Sequence, residues 1–467
     1  MESIGLAAPS ELTSIKQLHL KVWYLAWPAV ITTLLQTFNG MMDTRFVGHL
    51  SNSAQSLTAT GTGGQIIFIL TAVALGISIS INSLVAQAMG AGNISRVREA
   101  VEQSISLSLV AGLILGSIVL VMRPQIVTLI LGNDATAKTS ALLCIQFLFL
   151  PLLATPLSFL LNALQGVFRG MGDTRTPLQV QCAMIAVHIL CDYTLIYGNF
   201  GFPKLGVYGA GAALALSIST GTVLLFYRFL VKTDSGMSFA AGSFLPDKNW
   251  YLKILRIAIP GSMRSILRIL AMMSMTGLLA HSLQATSSIA ALNIGIPIEA
   301  ISFMPGVGYS IAAATLVGQY LGASNIKMGI RCANAAAGQG MVIMSIAATV
   351  MFAGAQQLSQ IFTTDTSVIV LTADYLRINA LSEPFIALNM IFNGAMQGAG
   401  DTLRPFLITF VCLWLIRIPL SWILMFTLHL NTIGAWYSIA VSSGVGGVVA
   451  SAVFSRKGWI KKEAIRA

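Results

Sequence analysis

Charge is what this sequence has least of. Only 9% of its 467 residues are Asp, Glu, Lys or Arg, against about 25% in soluble globular domains. A chain so poor in charge cannot cover a surface facing water, so its main solvent is lipid. Cysteine is scarce too. The five thiols (Cys144, Cys182, Cys191, Cys332, Cys412) form no CxxC pair, which excludes a disulfide framework and a structural zinc site; they are expected to be buried as small hydrophobes. HExxH, GxSxG and P-loop patterns are missing, so no motif points to an intramembrane enzyme or to a cofactor. The first twenty residues carry Glu2, Glu11 and Lys16 and lack an apolar h-region, so no cleavable signal peptide is expected. Apolar and polar residues do not alternate as they would in an outer-membrane barrel.

What the chain has is apolar length. It is 55% hydrophobic with mean hydropathy +0.80, and apolar stretches of about 20 residues, enough to cross a bilayer core, recur throughout. Lipid offers exposed backbone no partner, so these stretches are read as helices. Twelve spans are expected, near residues 22–44, 58–86, 99–121, 141–165, 178–198, 207–231, 254–280, 288–318, 330–354, 372–396, 405–428 and 433–454: an all-α membrane protein. The formal net charge of +11 could point to nucleic acid, but its distribution argues against that. With twelve alternating spans, nineteen Lys and Arg fall on one side, among them Arg456, Lys457, Lys461, Lys462 and Arg466 of the tail. Four (Arg45, Arg123, Lys138, Lys204) fall on the other. The positive-inside rule then places both termini in the cytoplasm.

The chain repeats itself. VAQAMGAGNI at 85–94 recurs as VGQYLGASNI at 317–326, an offset of 232 that also pairs Pro28 with Pro260 and His49 with His281. GMGDTRTP at 170–177 recurs as GAGDTLRP at 398–405, and Pro156 and Pro384 keep that offset of 228. Two copies of one six-span unit follow, in residues 1–236 and 247–467. Six is even, so both copies have the same orientation, a parallel repeat whose substrate sites are expected at the repeat interface near midplane. The expected boundaries are a cytoplasmic segment at 1–21, a first lobe at 22–231, a linker at 232–253, a second lobe at 254–454 and a basic tail at 455–467. Within the repeated motifs the glycines permit tight turns. Asp173 and Asp401 are expected to cap the helices that follow, with Pro177 and Pro405 in the first turn.

On FNGMMDTRFVGHL at 38–50, VAQAMGAGN, RGMGDTRTP, DYTLIYG with GVYGAGAALA, and the echoes VGQYLGASN and QGAGDTLRP, the chain from about residue 20 to 455 resembles multidrug and toxic compound extrusion (MATE) exporters. The resemblance implies twelve helices in two lobes around a central cavity, and alternating access driven by inward H+ or Na+. It also implies amphipathic substrates, often cationic. NorM-type members carry a glutamate in the seventh span. Here that stretch reads IPGSMRSILRILAMMSM, with Arg268 in its place, so the chain looks closer to the DinF-type branch, whose coupling lies in the first lobe.

A charge at the centre of a span costs roughly 2.5–3.5 kcal/mol on insertion scales, so each one asks for a function. Eight are expected inside spans: Asp43, Asp192, Glu299, Glu383, Arg264, Arg268, Arg377 and Arg417. Gln36, Asn39 and Asp43 share one helical face. His188 and Asp192 are four residues apart and therefore neighbours; a histidine here departs from the family pattern and adds a group that titrates near neutral pH. Asp43, Asp192, His188, Asn162 and Asn39 are the expected ion-coupling residues, with Na+ at Asp43, Asp192 and Asn162 as the alternative to H+. The resemblance supports Asp43, Asp192 and Asn162 in that role. Each also has a structural reading: a helix-end carboxylate paired with Arg45, a His–Asp packing bond, an interhelical amide. Gln36, Arg264, Arg268, Glu299 and Glu383 are the expected lining of the substrate cavity, and Pro28 is the expected bending point. Arg264 and Arg268 are expected to pair with Glu299 or Glu383, or else to favour anionic or zwitterionic substrates. The repeat sets Asp43 against Met275, Gln36 against Arg268 and Asp192 about against Arg417, so the coupling carboxylates are not duplicated.

The expected function is a monomeric antiporter in the cell membrane, exporting amphipathic, mainly cationic compounds in exchange for H+ or Na+. Its partners are the small organic substrate, the ion and membrane lipid, with no nucleic acid. The alternative is a flippase for lipid-linked oligosaccharides.

Overall fold

The computed structural model describes residues 14–50, 52–132, 135–233 and 245–460. The start of the N-terminal segment with Glu2 and Glu11, half of the linker, and Lys461, Lys462 and Arg466 of the tail lie outside them. The described residues are helical, with no strand among them. In the first repeat run α1 (Ile15–Gly48), α2 (Ser53–Gly90), α3 (Ile94–Leu131), α4 (Ala135–Leu153), α5 (Thr155–Gly170), α6 (Arg175–Cys191) and α7 (Val207–Thr233). In the second run α8 (Lys248–Leu279), α9 (Ala285–Gly322), α10 (Ile326–Ala353), α11 (Ala355–Gln360), α12 (Thr366–Ala380), α13 (Glu383–Gly398), α14 (Leu403–Phe410), α15 (Ile418–Trp422) and α16 (Asn431–Ser455). With α4–α5, α10–α11, α12–α13 and α14–α15 each taken as one crossing, these make the twelve spans of the sequence.

Nine of the described helical runs are long and apolar enough by themselves to cross a bilayer, and the α4–α5 pair, bent by 52°, is a tenth. The bend has a covalent cause. Pro151 lies inside α4 and Pro156 at the start of α5, and a proline ring removes a ladder bond and crowds the turn before it. Wide π turns interrupt two further spans, at Asp192–Ile196 after α6 and at Val411–Arg417 after α14.

By internal contact the chain divides into two compact units. One holds residues 31–85 and 93–262; the other holds residues up to Val30, Ala86–Gly92 and the chain from Met263 on. The long helix α1 therefore contributes to both. In the second unit Val22, Leu25 and Ala26 of α1 join a core with Tyr309, Leu316, Tyr320 and Met396. A second core of the same unit gathers Met275, Leu292, Tyr375, Leu376 and Trp436.

The repeat is legible in the packing. Gly166 of α5 lies against Ser78 of α2, and Gly394 of α13 lies against Ser310 of α9. Gly170 lies against Asn82, and Gly398 against Ala314. Each glycine lets one backbone sit directly on another, as small residues do between membrane helices. In the second unit the ends of α2 and α9 cross reciprocally: Gly90 meets the Gln319 carbonyl and Gly322 meets the Gln87 carbonyl.

The repeated loops form the expected caps. Asn93 accepts from Arg96 N at 3.0 Å and Asn325 from Met328 N at 3.1 Å. Asp173 accepts from Arg175 N and Thr176 N at 3.0 and 2.9 Å, and Asp401 accepts from Arg404 N at 3.3 Å. Gly172 and Gly400 take φ of +85° and +80°, where a side chain would be strained. The thiols depart from the expectation in part. Cys144, Cys332 and Cys412 are buried, but Cys182 is exposed and Cys191 half-buried.

Candidate functional site

In the first unit two polar stripes meet. On α1, Gln36, Asn39 and Asp43 follow one another at helical spacing. On α6 and its π turn, Gln181, His188 and Asp192 do the same, since steps of seven and four residues return to one face. The stripes form three rungs. Gln36 Nε2 donates to Gln181 Oε1 at 3.3 Å. The Asn39 amide meets His188 Nδ1 at 2.7 Å. At the third rung His188 Nε2 lies 3.7 Å from Asp43 Oδ1 and 3.9 Å from Asp192 Oδ2, and one ligand atom from each of the three residues falls within a 4.8 Å cluster.

The donors fix the tautomer. When the Asn39 NH2 donates, His188 Nδ1 accepts, and the ring proton sits on Nε2, facing both carboxyls. His188 and Asp192 are 2% and 1% exposed, while the Asp43 side chain keeps 39% of its surface. Asp43 is therefore the most open member of the cluster. Asp43 Oδ1, Asp192 Oδ2 and Asn39 Oδ1 are buried atoms with no hydrogen-bond partner among the described residues. Such orphans are costly unless a further proton, ion or water satisfies them. Tyr197, at the end of the π turn, donates to Phe46 O at 2.7 Å and so ties the ends of the two stripes together. The pairing of Asp43 with Arg45 is not made among the described residues.

Asn162 forms no hydrogen bond with this cluster among the described residues. Its side-chain N–H donates to Ser158 O of its own helix at 2.9 Å, while its backbone carbonyl accepts from Ser78 Oγ of α2 at 2.6 Å. Pro28 lies inside α1, which continues through it. Gln181 was not among the expected residues, although its place on the α6 stripe was a readable signal.

The second unit has its own polar interior, arranged otherwise. The Tyr375 hydroxyl donates to Glu299 Oε2. Arg264 Nε donates to Thr409 Oγ1 at 3.2 Å. Arg417 donates from Nε to Ser442 Oγ at 2.8 Å and from Nη2 to Ser443 Oγ at 3.0 Å. Glu383 is fully buried, and neither carboxyl oxygen has a hydrogen-bond partner among the described residues. The expected pairing of Arg264 and Arg268 with Glu299 or Glu383 is therefore corrected. Glu299 is taken by a tyrosine on α12 and Arg264 by a threonine on α14, neighbours supplied by tertiary packing. The position that repeats Asp43, Met275, is buried and accepts from Ser421 Oγ at 3.2 Å through its sulfur.

The chain is 29% identical over 423 residues, 90% of its length and 89% of the relative's, to a Thermotoga maritima protein described as "Probable multidrug resistance protein NorM". It is 24% identical over 411 residues, 88% of its length and 87% of the relative's, to the "Probable multidrug resistance protein YoeA" of Bacillus subtilis. Such names do not support the expected placement in the DinF-type branch. In fold it matches a MOP superfamily transporter from Pyrococcus furiosus with TM-score 0.89 at 19% identity, over 100% of this chain and 99% of the other. It matches a multidrug resistance MATE family transporter in an outward-facing conformation with TM-score 0.85 at 21% identity, over 94% and 96%. The model of the family described as MatE covers residues 28–194 and 260–423, one stretch in each sequence repeat, and the chain belongs to that family, the multidrug and toxic compound extrusion transporters.

Proposed function

We propose that the protein is a secondary active antiporter of the cell membrane that exports amphipathic organic compounds in exchange for protons, with the Asp43–His188–Asp192 cluster as its coupling site. The observation that carries this reading is the cluster itself: three titratable groups on two membrane helices, two of them buried, with carboxyl oxygens that have no partner among the described residues. One oxygen of the Asp43 carboxyl and one of the Asp192 carboxyl also lie within 4.8 Å of each other, and two carboxyls that close in a low-dielectric interior favour holding a proton on one of them. Sodium is the weaker alternative. Hard cations of its kind prefer oxygen donors, whereas one of the three ligands here is an imidazole and Asn162 is committed elsewhere.

In this mechanism a proton entering at Asp43 neutralises the cluster. The Asn39 and His188 contacts rearrange, and α1 shifts, with Pro28 as its weak point. Substrate leaves outward as protons bind; release of the proton inward resets the transporter. One charge crossing 100 mV supplies about 2.3 kcal/mol, enough for accumulation in the tens-fold range. The reading includes two six-span lobes with boundaries at 231 and 254, both termini in the cytoplasm, and a monomer. It places coupling in the first lobe on geometry, whichever branch name applies. The relatives' multidrug-resistance names favour efflux of small compounds over the flippase alternative, and cationic amphipaths are the substrates implied by the resemblance.

The test is transport in proteoliposomes with a pH gradient or a sodium gradient imposed separately. A fluorescent dye should move with the pH gradient in the wild type, and both Asp43→Asn and Asp192→Asn should abolish that movement. Dye movement that follows neither gradient, or that persists in both variants, would sink the proposal.

A further inference from the structure

The coupling reading leaves three arginines of the second unit without a role. Arg264 and Arg268 lie one turn apart within α8. Arg268 stands about 21 Å of helix rise from Ile254 and about 17 Å from Leu279, too deep for its side chain to snorkel to either interface. Its side chain is exposed, and an arginine held open at that depth is costly against hydrocarbon, so it must face a polar opening. Among the described residues no hydrogen bond or ion pair reaches its guanidinium. Among the described residues the hydrogen bonds of Arg264 and Arg417 go to hydroxyls, those of Thr409, Ser442 and Ser443. Arg268 lies in electrostatic range of both. The acid in range of Arg417, Glu299, is already engaged by Tyr375. The second buried acid, Glu383, lies in range of Glu299 but of none of the three arginines, so among the described residues three guanidinium groups share one occupied carboxylate and the cluster is short of negative charge.

An apolar wall stands beside the charge. The Trp414 indole N–H donates to Leu267 O at 3.3 Å, which holds that ring against α8 next to Arg268, and Met272 follows one turn on. A planar guanidinium pairs best with a planar or tetrahedral oxyanion, and the indole and thioether suit an aromatic or alkyl body.

We propose that Arg268, flanked by Arg264 and Arg417, is a substrate subsite that holds the carboxylate or sulfonate of an amphipathic compound. This rests on the export reading and replaces its cationic substrates with acid-bearing or zwitterionic ones.

The test measures equilibrium binding to the purified full chain in phosphatidylcholine nanodiscs. The probes are dansylglycine, its uncharged methyl ester and the cationic dansylcadaverine. The wild type should bind the acid about tenfold more tightly than the ester, the size of effect a charge-assisted contact brings. Arg268→Gln should erase that difference without weakening dansylcadaverine, and Arg268→Lys should keep part of it. Equal binding of acid and ester by the wild type overturns the proposal. So does a preference that survives in a monodisperse Arg268→Gln protein, or one that is lost equally in Arg268→Lys. Phosphatidylglycerol that competes dansylglycine off the wild type would assign the arginine to a lipid phosphate and also overturn it. Export is read separately: intact acid binding with no gradient-driven movement of any probe in proteoliposomes would sink the export reading and leave the subsite standing.

Discussion

The two ring nitrogens of His188 meet opposite demands. Asn39 offers an N–H to Nδ1, and the two carboxyls face Nε2. A proton arriving at Nδ1 would meet the Asn39 NH2, so protonation of the ring requires the amide to turn and present its unpartnered oxygen. That links a proton to a rotation on α1. Asn39→Leu removes the link while keeping the bulk. It should slow pH-driven transport about tenfold, the cost of one buried polar group left without its partner, with little change in protein yield. Proteoliposome initial rates measure this, and wild-type rates in Asn39→Leu would show that the bond only packs the helices. His188→Asn removes the one imidazole of the cluster, the side-chain type whose charge changes most readily near physiological pH. Transport should persist with a changed rate–pH profile. An unchanged profile would leave the carboxyls as the sole titrating groups.

At the scale of the helix, the repeat puts glycine at matching backbone contacts, Gly166 and Gly170 in one copy and Gly394 and Gly398 in the other. A Cβ on Gly398 would collide with the main chain of Ala314, and backbone cannot step aside as the end of a side chain can. Gly64, in α2, has open space around the same position. Gly398→Ala should therefore destabilise the protein by about 1–3 kcal/mol, the usual cost of overpacking. Gly64→Ala should be neutral or stabilise it by up to about 1 kcal/mol through the unfolded chain. Thermal unfolding in detergent, followed by size-exclusion fluorescence, separates the two. Equal melting temperatures would mean that the α9–α13 contact relaxes freely. The helices were also where reading the sequence worked best and failed most clearly. Span number followed from hydropathy, and the Gln36–Asn39–Asp43 face from spacing, because both are local properties. The destination of a side chain is not local. Spacing could show that Arg264 and Asn162 lie in apolar spans, but not that α14 would offer Thr409 to one, nor that the other would turn back to Ser158 of its own helix. The π turn that carries Asp192 was likewise unreadable, since its sequence has no proline or glycine until Gly198.

For the molecule as a whole, two copies of one scaffold carry different chemistry at matching places. Asp43 is answered by Met275, buried against Ser421. Asp192, at the start of one π turn, is answered by Arg417, at the end of the other. The backbone contacts of Gly166 and Gly170 recur at Gly394 and Gly398, so the framework has kept its symmetry while the sites have diverged. A carboxyl moved to the matching place in the second copy would find a scaffold that can hold it but none of the partners that make it a proton carrier. It would have neither an imidazole on the facing helix nor a second carboxyl, and an arginine would stand where that carboxyl should be. An acid beside a fixed positive charge stays ionised and cannot alternate between two charge states. The double variant Asp43→Asn with Met275→Asp should therefore remain as inactive in pH-driven transport as Asp43→Asn alone. Recovery of even a tenth of the wild-type rate would show that either copy can couple, and that the asymmetry of the two sites does not decide where the proton binds.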